Sequence, residues 1–255
     1  MVDVQNRKDD RNIDIKKVGV KGIKYPLTVL DMTNEKQYVS GTINMYVNLP
    51  RHFKGTHMSR FVEVLNDYRG QINIKTFRKI LGKVKEKLNA QSAHMEIEFP
   101  YFIGKSAPVS GAESLMEYRC RFSGENNGSK NDFTVGVTVP VTTVCPCSKE
   151  LSSMGAHNQR SIVKVNLKFK RFFWIENIVR LVENSASSEV YSLLKRADEK
   201  YITEKGYRNP MFVEDVVRSV AEKLNKDDNF TWYSVEAENF ESIHNHSAYA
   251  YVEKE

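Results

Sequence analysis

The sequence predicts an α+β protein made of two modules, each an antiparallel sheet with helices on one face. In each half of the chain, segments follow one another in the order strand, strand, helix, helix, strand, strand. Strands are predicted where apolar and polar residues alternate, and helices where apolar residues recur every three or four positions. The 255 residues are enough for two such modules. We expect an N-terminal arm at 1–25, a first module at 26–125 and a second module at 126–255.

The first half contains the clearest strand of the chain. From Val39 to Leu49, apolar side chains fall on one face and polar side chains on the other. The predicted elements of this half are strands at 38–49, 92–99 and 115–122, a helix from about 59 and a helix at 73–89.

The second half repeats this order without sharing much residue identity with the first. Its predicted elements are strands at 135–141, 163–169, 230–238 and 247–252, a helix at 174–195 and a helix from 210 onwards. Asn209-Pro210 predicts the start of the second helix, with Asn as the N-cap and Pro in the first turn. The charged segment between the helices, 195–205, is expected to be irregular.

Charge and composition exclude several classes of protein. The formal net charge is +6, but basic and acidic residues are interleaved, so the charge is too diffuse to indicate a nucleic acid, and a small phosphorylated molecule is an equally good partner. No apolar run approaches the roughly 20 residues of a membrane span, and the polar N-terminus is unlike a secretory signal. Three cysteines do not make a disulfide framework. We therefore expect a cytoplasmic protein. Because each predicted sheet leaves open edges, we also expect an oligomer.

Cysteine and histidine residues supply the first candidates for chemistry. Cys145 and Cys147 flank Pro146 where a predicted strand gives way to a loop. A Cys-x-Cys pair is compatible with a metal or redox element, although metal pairs more often have two to four intervening residues, and two incidental thiols explain the spacing equally well. His157 follows among small and polar residues, where it is a candidate ligand, a general acid or base, or a surface residue.

Three further residues extend this group. His244 and His246 would point to the same face if their segment approached strand geometry, so that two imidazoles could converge on one site. Glu199 lies in the charged segment, where most residues are expected to be solvated. Its carboxylate could complete a mixed sulfur, nitrogen and oxygen ligand set suited to a first-row metal.

Other residues are candidates for binding an anionic or purine ligand. Glu214 is early in a predicted helix, where the positive helix end would stabilise it in any case. A carboxylate can also anchor two adjacent N–H donors, such as those on the edge of a guanine. His57 and Arg60 flank a predicted helix start that suits a phosphate, where Thr56 or Ser59 could instead act as a helix cap.

Together, several segments resemble the prokaryotic type IB GTP cyclohydrolases over nearly the whole chain. The joint occurrence of the segments is more specific than any one of them. They are Asp3-Val-Gln-Asn-Arg-Lys-Asp-Asp-Arg-Asn12, Lys54-Gly-Thr-His-Met-Ser-Arg-Phe61, Cys145-Pro-Cys-Ser-Lys-Glu150, Gly155-Ala-His-Asn-Gln-Arg-Ser161, Asp198-Glu-Lys200, Asn209-Pro210, Phe212-Val-Glu-Asp215 and Glu241-Ser-Ile-His-Asn-His-Ser247.

This resemblance implies the tunnelling fold and a homotetramer with active sites at module interfaces. It implies conversion of GTP and water to formate and 7,8-dihydroneopterin triphosphate, at the head of folate and some modified-nucleoside pathways. It also implies a divalent metal ion, with zinc, manganese and iron(II) as the alternatives. No nucleic acid or membrane partner is expected.

Roles follow from the resemblance position by position. Cys145 would ligate the metal, with Glu199 and His244 as further ligands. His157 would be a ligand or would orient the attacking water, and His246 is the candidate for proton transfer, with His157 as the alternative.

Glu214 would anchor the purine, and Cys147 would be a neighbouring, oxidisable thiol. The triphosphate requires cationic groups, for which the candidates are His57, Arg60, Lys149, Arg160 and Lys195.

Two other functions compete with this interpretation. A nitrile reductase of the tunnelling fold would use a cysteine nucleophile and a nicotinamide cofactor, and it would not need the three candidate histidines. A purine-binding protein without activity, or a structural zinc protein, would retain the binding residues alone. Sensitivity to a chelator would distinguish the cyclohydrolase from the nitrile reductase. Formation of a fluorescent product from GTP would exclude a protein without activity.

Overall fold

A computed structural model gives the fold of residue 5, residues 9–128 and residues 131–254, with only the backbone described at residue 131. Part of the predicted N-terminal arm, residues 1–4 and 6–8, therefore lies outside the described residues, as does part of the motif at 3–12. Contacts divide the described chain into two units. The first comprises Met1–Pro100 and Cys120–Val135, and the second comprises Tyr101–Arg119 and Gly136–Glu255.

The elements confirm the α+β class. The strands are β1 (Ile15–Asp31), β2 (Glu35–Leu49), β3 (Ala93–Ser106), β4 (Glu113–Asn126), β5 (Asn131–Val144), β6 (Asn158–Phe169), β7 (Ser188–Glu189), β8 (Phe230–Asn239) and β9 (Ala248–Glu253). The helices are α1 (Ser59–Asp67), α2 (Phe77–Lys87), α3 (Pro146–Leu151), α4 (Ile175–Glu183), α5 (Arg196–Arg208) and α6 (Val213–Asn225). Among the described residues, no helix is long and apolar enough to cross a membrane.

The first unit is built on the antiparallel hairpin of β1 and β2, which runs from the pair Ile15 and Leu49 to the pair Asp31 and Glu35. β2 in turn pairs antiparallel with β3. The buried faces of α1 and α2 contribute the apolar side chains Phe61, Val64, Leu65, Phe77, Ile80, Leu81 and Val84. β1 begins inside the segment that the sequence assigned to the arm. The units are discontinuous along the chain, so the module limits at 25 and 125 stay predictions.

The second unit is built around β6, β8 and β9, which pair antiparallel in that order, while β7 pairs with β5. The register sets Val163 opposite Ala237 and Val165 opposite Val235, all fully buried. α6 packs on β8 and β9 through a buried apolar stripe that consists of Val213, Val216, Val217, Val220, Ala221 and Leu224.

Two sequence predictions in the second unit are wrong. The helix predicted at 174–195 ends at Glu183, because the serine-rich segment after it forms β7 on the edge of β5. The charged segment at 195–205 is helical and belongs to α5. The second unit therefore has three helices between β6 and β8 instead of two.

The predicted helix start at Asn209-Pro210 is also wrong. Asn209 is the residue that ends α5, and its Nδ2 donates to Ala186 O at 2.9 Å. α6 begins at Val213, after Phe212, whose backbone N–H donates to Asp215 Oδ2 at 3.0 Å.

Candidate active site

Cys145 occupies the turn between β5 and α3. β5 ends at Val144, and Pro146 opens α3, a position where its missing N–H removes no helical hydrogen bond. Cys145 is the N-cap of this short helix, and its Sγ accepts a hydrogen bond from Ser148 N at 3.4 Å. Cys147 lies one residue into α3 and is exposed, whereas Cys145 is half-buried. The two thiols therefore have different surroundings.

His157 lies directly beside Cys145. The N–H of Cys145 donates to His157 O at 3.1 Å, and the N–H of His157 donates to Ser148 Oγ at 3.2 Å. Gly155 has a φ of 138°, so it supplies a backbone conformation that favours glycine just before β6. The loop from α3 to β6 thus returns His157 to the end of β5.

The imidazole of His157 contacts a buried group that the sequence interpretation missed. Its Nδ1 lies 3.0 Å from Gln159 Oε1 and 3.5 Å from Ser242 Oγ. Gln159 is buried and donates from Nε2 to Thr143 Oγ1 at 3.0 Å. The sequence does carry a signal for such a group. On the inward face of β6, the first positions, Gln159 and Ser161, are polar, whereas the positions from Val163 onwards are apolar.

The segment between β8 and β9 carries two further candidate histidines of the second unit, His244 and His246. Phe240 N donates to Arg160 O at 2.9 Å, and Ser242 lies beside the His157 ring. His244 and His246 stack with ring centroids 5.2 Å apart and an angle of 17° between the planes. Both rings are exposed. The segment that carries them forms bends and not a strand, so the strand geometry on which the predicted shared face depended is absent.

Glu199 is an exposed residue in the first turns of α5, beside the buried Asp198. Asp198 accepts hydrogen bonds from Val109 N, Ser110 N, Ser110 Oγ and Lys195 N, at 2.6–2.8 Å. Burial alone would raise the pKa of Asp198, but these hydrogen bonds outweigh it and hold the pKa well below its usual range. The start of α5 is thereby fixed to the turn between β3 and β4, with Lys195 exposed at its N-cap.

Glu214 is the second residue of α6 and is exposed. Met211 N donates to Val144 O at 3.0 Å, so the segment entering α6 is held against the residue that precedes Cys145. The side chain of Lys149 interacts with Tyr207. Its Nζ donates to Tyr207 O at 2.7 Å and lies 4.6 Å from the centre of the Tyr207 ring.

His57 and Arg60 belong to the first unit, at the start of α1. Arg60 N donates to His57 O at 3.2 Å, and Arg60 Nη1 lies 3.5 Å from Lys87 O. The N-cap of α1 is Met58, with no side-chain cap, so the predicted capping by Thr56 or Ser59 is wrong.

The donors of the predicted metal site suit a first-row divalent ion in their chemistry, because thiol, imidazole and carboxylate groups are combined. Among the residues that the structure describes, no three or more His, Cys, Asp and Glu side chains are grouped so that they could hold a metal ion. The described chain therefore presents donors of the right types without a complete set around one point.

Comparisons with known proteins agree with this picture. Residues 1–250 match the family model described as type I GTP cyclohydrolase folE2. A protein of Syntrophus aciditrophicus named GTP cyclohydrolase FolE2 is 72% identical over 255 residues, which is 100% of both chains. A protein of the same name from Geobacter metallireducens is 60% identical and covers 100% of this chain and 97% of its own.

Solved structures show the fold. Uricase from Arthrobacter globiformis has a TM-score of 0.53 at 8% identity and covers 93% of this chain and 92% of its own. Urate oxidase from Bacillus sp. TB-90 has a TM-score of 0.53 at 9% identity, with 94% and 99% covered. At this identity the likeness supports only the architecture, which agrees with the predicted tunnelling fold.

Proposed function

The chain belongs to the type I GTP cyclohydrolase FolE2 family, and we propose that it is a GTP cyclohydrolase I of the IB type that converts GTP and water to 7,8-dihydroneopterin triphosphate and formate. The family match over residues 1–250 carries this proposal. A backbone hydrogen bond from Cys145 N to His157 O holds a candidate metal ligand and a candidate proton-transfer residue next to one another at the end of β5, and this arrangement supports the proposal.

Substrate binding would begin with the guanine and the triphosphate. The exposed carboxylate of Glu214 would accept hydrogen bonds from the ring N–H and the amino group of guanine. The triphosphate would be neutralised by cationic side chains, for which the candidates are His57, Arg60, Lys149, Arg160 and Lys195. Lys149 would have to exchange its bond to Tyr207 O for a phosphate oxygen.

We propose that Cys145, Glu199 and His244 hold a divalent zinc, manganese or iron(II) ion, with His157 either as a further ligand or as the residue that orients the attacking water. Because no complete set lies around one point in the described chain, this proposal requires that metal binding or a second subunit bring further donors to Cys145. Such an ion, when bound, supplies hydroxide near neutral pH by lowering the pKa of water.

The histidines would donate and accept protons while C8 of the guanine is attacked and released. His246 would protonate the ring nitrogen as the imidazole ring of guanine opens, and His157 would orient the attacking water or accept its proton. Two successive hydrolytic steps at C8 use two waters, the first to open the ring and the second to release formate. Rearrangement of the ribose with ring closure returns one water, so the reaction balances at one GTP and one water.

We further propose a cytoplasmic homotetramer. β9 is the last strand in the pairing order of the second unit, and it carries the exposed side chains of Tyr249 and Tyr251. An edge strand of this kind is a surface for pairing with another chain. Light scattering at micromolar concentration is expected to give four subunits, and a monomer would contradict the assembly.

Matched cysteine variants test the proposed chemistry. Cys145→Ala is expected to abolish formate release, whereas Cys147→Ser, two residues away, is expected to retain it. Chelation followed by anaerobic addition of zinc, manganese or iron(II) is expected to remove and restore turnover in the wild type and in Cys147→Ser. Near-normal turnover of Cys145→Ala would contradict the proposed role of this thiol.

A further inference from the structure

Four buried polar side chains interrupt the apolar face of the strands beside His157. Thr143, Gln159, Ser161 and Asn239 are exposed by 0%, 6%, 0% and 2%. Buried polar groups are costly unless they are hydrogen-bonded. These four residues bond to one another in a single chain that ends on the His157 ring.

The direction of each bond in this chain follows from the Asn239 amide, which turns its oxygen Oδ1 towards Ser161, together with a count of the available protons. Ser161 Oγ donates its one proton to Asn239 Oδ1 at 2.6 Å. Thr143 Oγ1, 3.1 Å from Ser161 Oγ, must therefore donate to it. Because the Thr143 proton is then used, Thr143 accepts from Gln159 Nε2 at 3.0 Å.

Gln159 consequently turns its carbonyl oxygen towards His157. Oε1 lies 3.0 Å from Nδ1 of the ring, and an amide oxygen can only accept. The proton of a neutral imidazole must then be on Nδ1, which leaves the lone pair on Nε2.

We propose that Gln159 is a positioning residue that holds His157 in the Nδ1–H tautomer. The catalytic consequence of this inference rests on the proposed function. Metal ligation and proton acceptance both require a lone pair, and the tautomer assigns it to Nε2. Loss of such a supporting hydrogen bond typically reduces metal affinity or activity by about 10–100-fold.

The experiment measures the tautomer directly in the full-length protein. Nitrogen NMR of protein labelled with ¹⁵N-histidine, without added metal and at a pH where the ring is neutral, identifies which nitrogen carries the proton. The His157 signal is assigned by its loss in His157→Asn. The variants are Gln159→Leu, which removes the acceptor, and Gln159→Glu, which keeps an acceptor oxygen towards Nδ1.

Asn166→Leu is the matched control. It lies on the same strand and also removes an amide-to-hydroxyl bond, from Asn166 Nδ2 to Ser234 Oγ at 3.1 Å. It is expected to leave the tautomer and the rate of formate release unchanged. A purely structural effect of losing such a bond would appear in both variants.

We expect the Nδ1–H form in the wild type and in Gln159→Glu, and a mixture of tautomers in Gln159→Leu with formate release reduced by about 10–100-fold. A wild-type ring with its proton on Nε2 would overturn the inference, as would a wild-type tautomer in Gln159→Leu. If Gln159→Leu does not fold, the wild type and Gln159→Glu decide. Absence of GTP turnover in the wild type, with the expected tautomers, would instead contradict the proposed function.

Discussion

Replacing Lys105 with methionine should strongly destabilise the second unit. Lys105 Nζ lies 2.7 Å from Glu183 Oε1 and 2.7 Å from Val190 O. The side chains of Lys105 and Glu183 are each only 12% exposed. Tyr118 donates to the same carboxylate oxygen at 2.8 Å, and burial together with Glu183 raises the pKa of Tyr118. These bonds connect β3, β4 and the end of α4.

The expected loss of stability follows from the state of the Glu183 carboxylate once the lysine cation is removed. Methionine keeps much of the lysine stem, so the change is mainly electrostatic. The Glu183 carboxylate would remain buried with only the Tyr118 hydroxyl among these partners. Breaking a buried ion pair from one side costs about 3–5 kcal/mol, whereas replacing both charges by apolar groups is often close to neutral. Lys105→Met with Glu183→Leu should therefore be more stable than Lys105→Met alone.

Urea unfolding at one fixed protein concentration measures these differences. Fixing the concentration matters because assembly shifts apparent stability. With a slope near the upper end of about 1–3 kcal/mol per molar urea, the midpoint of Lys105→Met should fall by about 1–2 M. The control is Lys164→Met, which breaks an ion pair with Glu236 whose side chains are 54% and 28% exposed and should cost at most about 1 kcal/mol. Equal shifts in the two single variants would refute the reasoning.

Three further predictions concern other carboxylates. Burial alone would raise the pKa of Asp31, but hydrogen bonds from Asn34, Gln37 and the turn lower this pKa below its ordinary value of 3.8. The ionised Asp31 therefore contributes its full stability above pH 3.8, and this contribution is lost as the pH falls through the lowered pKa. The urea midpoint of the wild type should consequently fall more steeply in acid than the midpoint of Asp31→Asn. Asp198→Asn should lower the thermal midpoint and slow formate release, because one oxygen that accepts two donors at the start of α5 becomes an amide nitrogen; unchanged values would contradict this. Glu214→Gln should raise KM for GTP with little change in the melting temperature, and an unchanged KM would remove Glu214 from the binding site.

The end of α4 in the second unit is a feature that the sequence pattern did not predict. Ala186 and Val190 continue the spacing of α4, so the pattern predicted one long helix. The structure ends it at Glu183, and Ser187 and Ser188 are buried, where Ser187 Oγ accepts from Val144 N at 3.1 Å and Ser188 pairs with Thr142. Pairing with β5, which is distant in sequence, determines the conformation of residues 187–189. The local spacing of apolar residues cannot reveal such a pairing.

Contacts between residues distant in sequence also explain why the sequence pointed to only some residues of the candidate site. Cys145, His157 and the two C-terminal histidines could be proposed as candidates because their residue types and motifs are visible in the sequence. Gln159 could not, since its role depends on Thr143 being its neighbour across the sheet. The inward positions of β5, β6 and β8 are polar where these strands end or begin beside one another, and a run of buried polar residues of this kind indicates a shared hydrogen-bond network.

The fate of one carbon atom tests the proposed reaction most directly. Purified full-length protein, reconstituted anaerobically with a divalent metal, would be given GTP labelled with ¹³C at C8. NMR would follow labelled formate while fluorescence follows the pterin. We predict one labelled formate for each 7,8-dihydroneopterin triphosphate formed, and none with Cys145→Ala. Label that stays in the nucleotide, with every tested metal, would contradict the proposed function.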